Sequence, residues 1–387
     1  MIPYGRQEIS QGDIDAVVAV LRSDWLTQGP AVPRFERAVV NYCGAAFGVA
    51  VNSATSALHI ACLALDLGPG DWLWTTPNTF VASANCGVYC GAWVDFVDID
   101  PRTYNLSVDR LEEKLKQAAI KNRLPKIVIP VHFAGQSCEM ERIFELSQRY
   151  GFRIVEDASH AIGASYRGEH VGSGRYSDIT IFSFHPVKIV TCGEGGIAIT
   201  NDACLADRMA RYRSHGITAE PAQMQPRPLD EIWNYQQLEI GYNYRMTDLQ
   251  AALGASQLAR IDAFVSRRRD IARYYDDAFV NLPLITPWQH PDAQSSYHLY
   301  PIRIRQESCG RSQRQVYDAL RAAGIAVNLH YIPAYRHPFY EARGFGVGYC
   351  SEAENYHREA LSIPMYSSLT ATQQSEVVAK ISRAILG

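Results

Sequence analysis

The chain has 387 residues, a length of two or three domains, and its 47% hydrophobic, 11% aromatic and 20% charged content can bury large cores, which excludes a disordered or low-complexity scaffold. Thirty-seven Lys and Arg against 40 Asp and Glu leave a formal net charge of -3, which offers no global attraction for nucleic acid or an anionic membrane. Nine cysteines without a C-x-x-C pair read as reduced thiols, no apolar run reaches bilayer length, and the first eight residues lack an export signal, so the expected location is cytoplasmic.

From Gly48 to Thr200, short apolar runs alternate with helical patterns, the sign of an α/β sheet built by crossover connections. Strands are expected over residues 49–52, 72–75, 93–97, 126–131, 152–156, 179–184 and 197–200, and a helix over 54–67 stopped by Gly68. Several of these runs are continuously apolar, as suits strands covered on both faces. Residues 216–233, with Pro221, Pro226 and Pro228, read as a long surface excursion. A capping box at Thr247 and Gln250 predicts the start of one long helix, whose Arg267-Arg268-Arg269-Asp270 stretch reads as a solvated face leading to a second domain near Pro283. A strand over 297–304 and further capping boxes at Ser312/Gln315, Ser351/Glu354 and Thr370/Gln373 complete a small α+β unit. The expected division is 1–250 for a large α/β domain and 251–387 for a linking helix with the small domain.

Four features of the large domain carry chemistry. Asn52-Ser53-Ala54-Thr55-Ser56-Ala57 lies at a strand-to-helix junction, where free N–H groups and hydroxyls make a phosphate seat, or where Ser53 or Thr55 simply caps the helix. Asp157, in Glu156-Asp157-Ala158-Ser159-His160, follows a strand at the edge where open α/β sheets bind ligands; it pairs with a protonated ring nitrogen or caps a helix. Lys188, in Ser183-Phe184-His185-Pro186-Val187-Lys188, leaves an apolar strand, and desolvation there favours the free amine required of a nucleophile; the alternative is a surface lysine. Phe80 either stacks on a flat heterocycle or packs into the core. No G-x-G-x-x-G, P-loop or H-E-x-x-H motif is present, a metal shared by His160 and His185 lacks a closely spaced ligand pair, and Cys86 and Cys90 read as core, so no metal is expected.

Taken together with Pro3-Tyr4-Gly5-Arg6, Leu26-Thr27-Gln28-Gly29-Pro30, Gly193-Glu194-Gly195-Gly196 and Gly241-Tyr242-Asn243-Tyr244-Arg245-Met246, these motifs resemble the DegT/StrS-type sugar-nucleotide aminotransferases along essentially the whole chain. The resemblance implies an aspartate aminotransferase-like α/β fold (fold type I) with a large mixed sheet, pyridoxal 5'-phosphate as cofactor, and a homodimer with shared sites. It implies Lys188 as the Schiff-base lysine and Asp157 as the partner of the pyridine nitrogen. Thr55, Ser56 and Ser183 would hold the phosphate, Phe80 would lie against the ring, His160 on the ring's oxygen side, and Asn243 would reach the neighbouring subunit's site. Tyr4, Leu26, Thr27, Gln28, Gly29, His185, His330 and Tyr331, with Ser56 and Asn243, match substrate positions. In many relatives the His160 position is Gln, and some carry His in place of Lys188 and dehydrate instead.

Residues 77–85 and 213–217 are similar to the branch that aminates C4 of UDP-2-acetamido-2,6-dideoxy-beta-L-arabino-hex-4-ulose with nitrogen from L-glutamate, in pseudaminic acid biosynthesis that feeds flagellin glycosylation or surface polysaccharide. The alternatives are another nucleotide keto-sugar, a 4-keto-arabinose or a 3-keto hexose, and a catalytically silent cofactor-binding regulator.

Overall fold

The computed structural model describes every residue except 227 and 229–233. Seven strands make the main sheet: β1 (Phe47–Val51), β2 (Trp72–Thr75), β3 (Trp93–Phe96), β4 (Ile127–Ile129), β5 (Arg153–Asp157), β6 (Ile179–Ser183) and β7 (Gly196–Thr200), ordered β1-β7-β6-β5-β4-β2-β3. Only β7 is reversed, pairing antiparallel with β1 and β6, while the remaining pairs are parallel. The carboxyl ends of six strands and the amino end of β7 therefore meet at one edge of the sheet. That edge receives all four chemical motifs.

The continuous apolar runs are explained by cover on both faces. Along β6, Ile179 and Ile181 face the cluster that contains Ala57, Leu58 and Ile60, whereas Phe182 joins Phe35, Val39 and Phe264 on the opposite side. After α1 (Gln11–Leu21) and α2 (Ala31–Cys43), helices α3 (Ala54–Ala64) and α4 (Ala82–Tyr89) build the first face; α2, α8 (Asp248–Leu258) and α9 (Ile261–Phe279) supply the second. Helices α5 (Val108–Ile120), α6 (Met140–Tyr150) and α7 (Ala203–Arg213) complete the cover. A smaller antiparallel sheet, β8 (Leu284–Ile285), β9 (Tyr300–Ile304) and β10 (Ala360–Ile363), packs Ile302 and Ile304 against Ile271 and Tyr275 of α9. Among the described residues no helix is long and apolar enough to cross a membrane.

Four expectations are corrected. The long helix after Thr247 is two helices, α8 and α9, because the end of α8 turns onto buried Asp13, whose carboxylate accepts from Ser256, Gln257 and Arg260. Arg268 is not on a solvated face: it is 2% exposed, and its Nη1 donates to the carbonyls of Tyr297, His298 and Met365. Arg267 and Arg269 likewise donate to the Leu369 and Ser295 carbonyls. Ser351 does not cap its helix, because Glu354 is drawn away to accept from Tyr335 Oη at 2.6 Å and from the Gly348 N–H. The strand expected from 297 begins at Tyr300, since Ser296 and Leu299 donate instead to Gly135 and Ala134 in the loop after β4.

The other three capping boxes form with both hydrogen bonds. Within the expected excursion, Ile217–Thr218 pairs antiparallel with Gln236–Gln237, and part of that segment, 227 and 229–233, lies outside the described residues.

Candidate functional site

Asp157 ends β5, 5% exposed, and adjoins Ile181 of the neighbouring β6. Its carboxylate is held from two sides: Ser83 Oγ donates to Oδ2 at 2.6 Å and the Ser159 N–H donates to Oδ1 at 3.1 Å. It does not cap a helix, because no helix starts at this point. Lys188 sits in the loop that leaves β6 and is half-buried, not a free surface lysine. The loop is folded back on itself by Phe184 N–H to Gly195 O at 2.9 Å and Lys188 N–H to His185 O at 2.9 Å. Burial lowers the Lys188 amine to about 8, with Asp157 acting in the opposite direction. A free amine is thus accessible near neutrality beside a buried carboxylate.

The junction at α3 contains both features weighed from the sequence. Ser53 caps the helix, accepting from the Ser56 N–H at 3.2 Å, and Ser56 Oγ donates to Asn52 Oδ1 at 2.6 Å. The cap engages Ser53 and Ser56, while the N–H groups of Ala54 and Thr55 belong to the first turn, which has no intrahelical acceptors. The hydroxyl of Thr55, half-buried, makes no hydrogen bond within the described residues. Gly196, opposite Ser183 in the β6–β7 ladder, permits this approach: a Cβ there would lie 2.4 Å from Ala54 N and 2.5 Å from Ser53 C. Ser183, the α3 amino terminus and Gly196 therefore form a compact cradle of small residues and donors.

The opposite wall is aromatic and histidine-rich. His160, 6% exposed, accepts the Ala134 N–H on Nδ1 at 3.3 Å, which leaves Nε2 to carry the proton, and Nε2 lies 3.2 Å from Tyr331 Oη. Burial first, and then the charge of Lys188, pushes His160 well below its usual range, so the neutral ring is the working form. His330 is 7% exposed, bonded through Nδ1 to Ser362 Oγ at 2.8 Å, and its ring lies 5.4 Å from that of Tyr4. Burial and then Lys188 lower it to about 3. Tyr331 is raised by burial first and by Asp157 second, which keeps its hydroxyl protonated. Phe80 is 60% exposed, which rules out the core reading and leaves its face open.

The remaining expected residues are engaged in other contacts. His185 is exposed, with Nε2 4.0 Å from Glu194, and is not placed with buried His160. Leu26 and Thr27 pair with the start of α8, through Asp248 N–H to Leu26 O at 3.0 Å and a bridge to Thr247. Gln28 adopts φ +55°, and a Cβ at Gly29 would meet Asp248 at 2.1 Å, so this turn is shaped by α8. Asn243 is exposed, its backbone bridged to Ser214. Among the described residues no group of three or more His, Cys, Asp or Glu is arranged for a metal ion.

Two neighbours escaped the sequence reading. Ser83, fully buried on α4, grips Asp157; the only available signal was that a buried carboxylate needs donors. His298, 4% exposed, has its ring 4.4 Å from that of His160 and a buried Nδ1 without a hydrogen-bond partner among the described residues, and no motif marks it.

The sequence matches the DegT/DnrJ/EryC1/StrS aminotransferase family over residues 7–382. It is 37% identical over 389 residues to the spore coat polysaccharide biosynthesis protein SpsC of Bacillus subtilis, covering 100% of this chain and 97% of SpsC. It is also 37% identical over 370 residues to the UDP-4-amino-4,6-dideoxy-N-acetyl-beta-L-altrosamine transaminase of Campylobacter jejuni, covering 95% and 93%. Among solved structures, Helicobacter pylori PseC, an aminotransferase of pseudaminic acid biosynthesis, superposes with a TM-score of 0.90 at 29% identity over 99% of both chains. The sugar aminotransferase Spr1654 of Streptococcus pneumoniae, in its PMP form, does so with a TM-score of 0.89 at 30% identity over 99% of both chains. The mixed-sheet α/β fold expected from the sequence is the fold these structures share.

Proposed function

The chain belongs to the DegT/DnrJ/EryC1/StrS aminotransferase family, and from that premise we propose that it is a pyridoxal 5'-phosphate (PLP)-dependent transaminase of a nucleotide sugar. The proposed reaction moves the amino group of L-glutamate to C4 of UDP-2-acetamido-2,6-dideoxy-beta-L-arabino-hex-4-ulose, in pseudaminic acid biosynthesis; glutamate leaves as 2-oxoglutarate and the sugar ketone becomes an amine. The observation that carries the reading is the partly desolvated Lys188 amine beside buried Asp157, at adjoining strand ends next to the α3 cradle.

The residues fit the cofactor. A phosphate would take the α3 N–H groups and the hydroxyls of Thr55 and Ser183, and that of Ser56 once it turns from Asn52 Oδ1, with Gly196 leaving the backbone bare behind them. Phe80 would cover a ring face, and Asp157 would face a ring nitrogen and favour its protonated form. His160, a neutral Nε2–H donor, would serve the ring's oxygen side, which a glutamine amide could equally serve. Bound PLP supplies an electron sink for charge developing on the carbon that gains or loses nitrogen. Lys188 Nζ would carry a proton between the substrate carbon and the cofactor's aldehyde carbon, as general base and then acid, in one direction for glutamate and in the other for the sugar. Tyr4, His330 and Tyr331, together with Leu26, Thr27, Gln28, Gly29 and His185, would border the sugar nucleotide. Asn243, exposed on a segment that also exposes Ile240, suits a residue that completes the site of a second copy, which supports a homodimer.

The 37% identity to SpsC over the full chain supports a second reading, the same chemistry on another nucleotide keto-sugar. One assay separates them: turnover of PLP-loaded protein on a panel of UDP-keto-sugars with L-glutamate, the amine position read by NMR. A C4 amine on the 6-deoxy-N-acetylhexosamine supports the first reading, and preference for a 4-keto-arabinose or 3-keto hexose overturns it. Lys188→Ala should abolish turnover on every member.

A further inference from the structure

Ser83 is not among the residues that the family resemblance assigns, yet it makes the shortest side-chain contact to Asp157. Its Oγ lies 2.6 Å from Asp157 Oδ2 and 2.6 Å from Thr79 Oγ1, and all three residues are buried, at 0%, 5% and 3% exposure. The direction of the chain follows from valence. A carboxylate has no proton to give, so the Ser83 hydroxyl donates to Asp157 and must accept from Thr79. The result is an ordered line, Thr79 O–H to Ser83 O–H to Asp157, running out of the first turn of α4. With the Ser159 N–H on Oδ1 at 3.1 Å, each carboxylate oxygen has one donor and keeps a second lone-pair direction open.

We infer that Ser83, oriented by Thr79, is a positioning residue that sets the plane of the Asp157 carboxylate toward the heterocyclic N–H of the cofactor. The inference rests on the proposed PLP site and deepens it. Without Ser83, Asp157 Oδ2 loses its only side-chain donor among the described residues, and the carboxylate is left to pivot on the Ser159 N–H alone. The loss then falls on whatever Oδ2 would meet, a cationic ring nitrogen, and not on the phosphate cradle across the site.

The test uses two ligands on the full-length protein: PLP, and its analogue in which carbon replaces the ring nitrogen. Dissociation constants of both are measured by fluorescence titration for wild type, Ser83→Ala, Ser83→Thr and Thr79→Val. The expected result is a wild-type preference for PLP over the carbon analogue that falls on the order of tenfold in Ser83→Ala, as for loss of a hydrogen bond to a charged group, while affinity for the analogue is unchanged. Ser83→Thr restores the preference, and Thr79→Val, which leaves Ser83 in place but undirected, lowers it in the same direction. An equal loss for both ligands in Ser83→Ala, or an unchanged preference in both Ser83→Ala and Thr79→Val, overturns the inference. A wild type that binds neither ligand overturns instead the proposed PLP site, so the two failures are distinguishable.

Discussion

Gly196→Ala is the substitution for which the structure dictates the size of the disturbance. The new Cβ would stand 2.4 Å from Ala54 N, 2.5 Å from Ser53 C and 2.6 Å from Ser53 O, all backbone atoms that cannot swing aside. Reaching van der Waals contact at 3.4 Å requires the start of α3 to retreat by about 1 Å from β7. A donor displaced that far no longer bonds an anion held by the remaining groups. Losing one hydrogen bond to a charged group costs about 1.5–3 kcal/mol, or about 10- to 160-fold in Kd. Overpacking would add about 1–3 kcal/mol of lost stability. The assay is calorimetric titration with PLP alongside thermal unfolding, with Gly68→Ala as the control because nothing lies within 4 Å of its Cβ position. Gly68→Ala should leave both readings unchanged. PLP affinity in Gly196→Ala within twofold of wild type would refute the cradle, whatever happens to Tm.

The remaining expectations are narrower. Lowering the Lys188 amine from 10.5 to about 8 raises its uncharged fraction at pH 7.5 roughly two-hundred-fold, so stopped-flow capture of PLP by the apoprotein should accelerate with a midpoint near pH 8; a rate still climbing through pH 10 contradicts this. Glu156, 5% exposed, accepts from His132 at 2.6 Å and from Ser177 and Thr180; burial opposes its charge, but these donors hold its carboxyl below the usual 4.5. Its contribution is therefore present above pH 4.5 and lost as pH falls through the lowered value. Glu156→Gln should cost about 3–5 kcal/mol at pH 7, with the gap to wild type closing in acid, as read from urea unfolding at several pH values. Arg268→Met strands three buried carbonyls and should cost about 3 kcal/mol or more, seen as a lowered denaturation midpoint; a neutral result would show that those carbonyls find other donors.

Patterns set by neighbours in the chain were legible beforehand. The strand at 72–75 and the boxes at Thr247, Ser312 and Thr370 depend on side-chain period and on contacts three residues apart, which sequence displays directly. Ser351 failed because Tyr335 competes for Glu354 across a tertiary contact that no local rule contains. Arg268 failed for the same reason: three consecutive arginines look solvated until carbonyls from Tyr297, His298 and Met365 converge on one of them. At the site, Asp157 and Lys188 stood out because they follow apolar strand runs, whereas His160 and Ser183 were marked only by the family resemblance. Ser83 and His298 stayed hidden because their partners are distant in the chain, and a buried serine on a helix face resembles any other small core residue.

The central claim is that the Lys188 amine forms the covalent attachment to an aldehyde cofactor. Protein loaded with PLP, reduced with borohydride and digested should yield one modified peptide, carrying the reduced cofactor on Lys188, and the visible absorbance band should vanish on reduction. A band that survives borohydride, or a label found on Lys114, Lys126 or any other lysine in place of Lys188, would contradict the account.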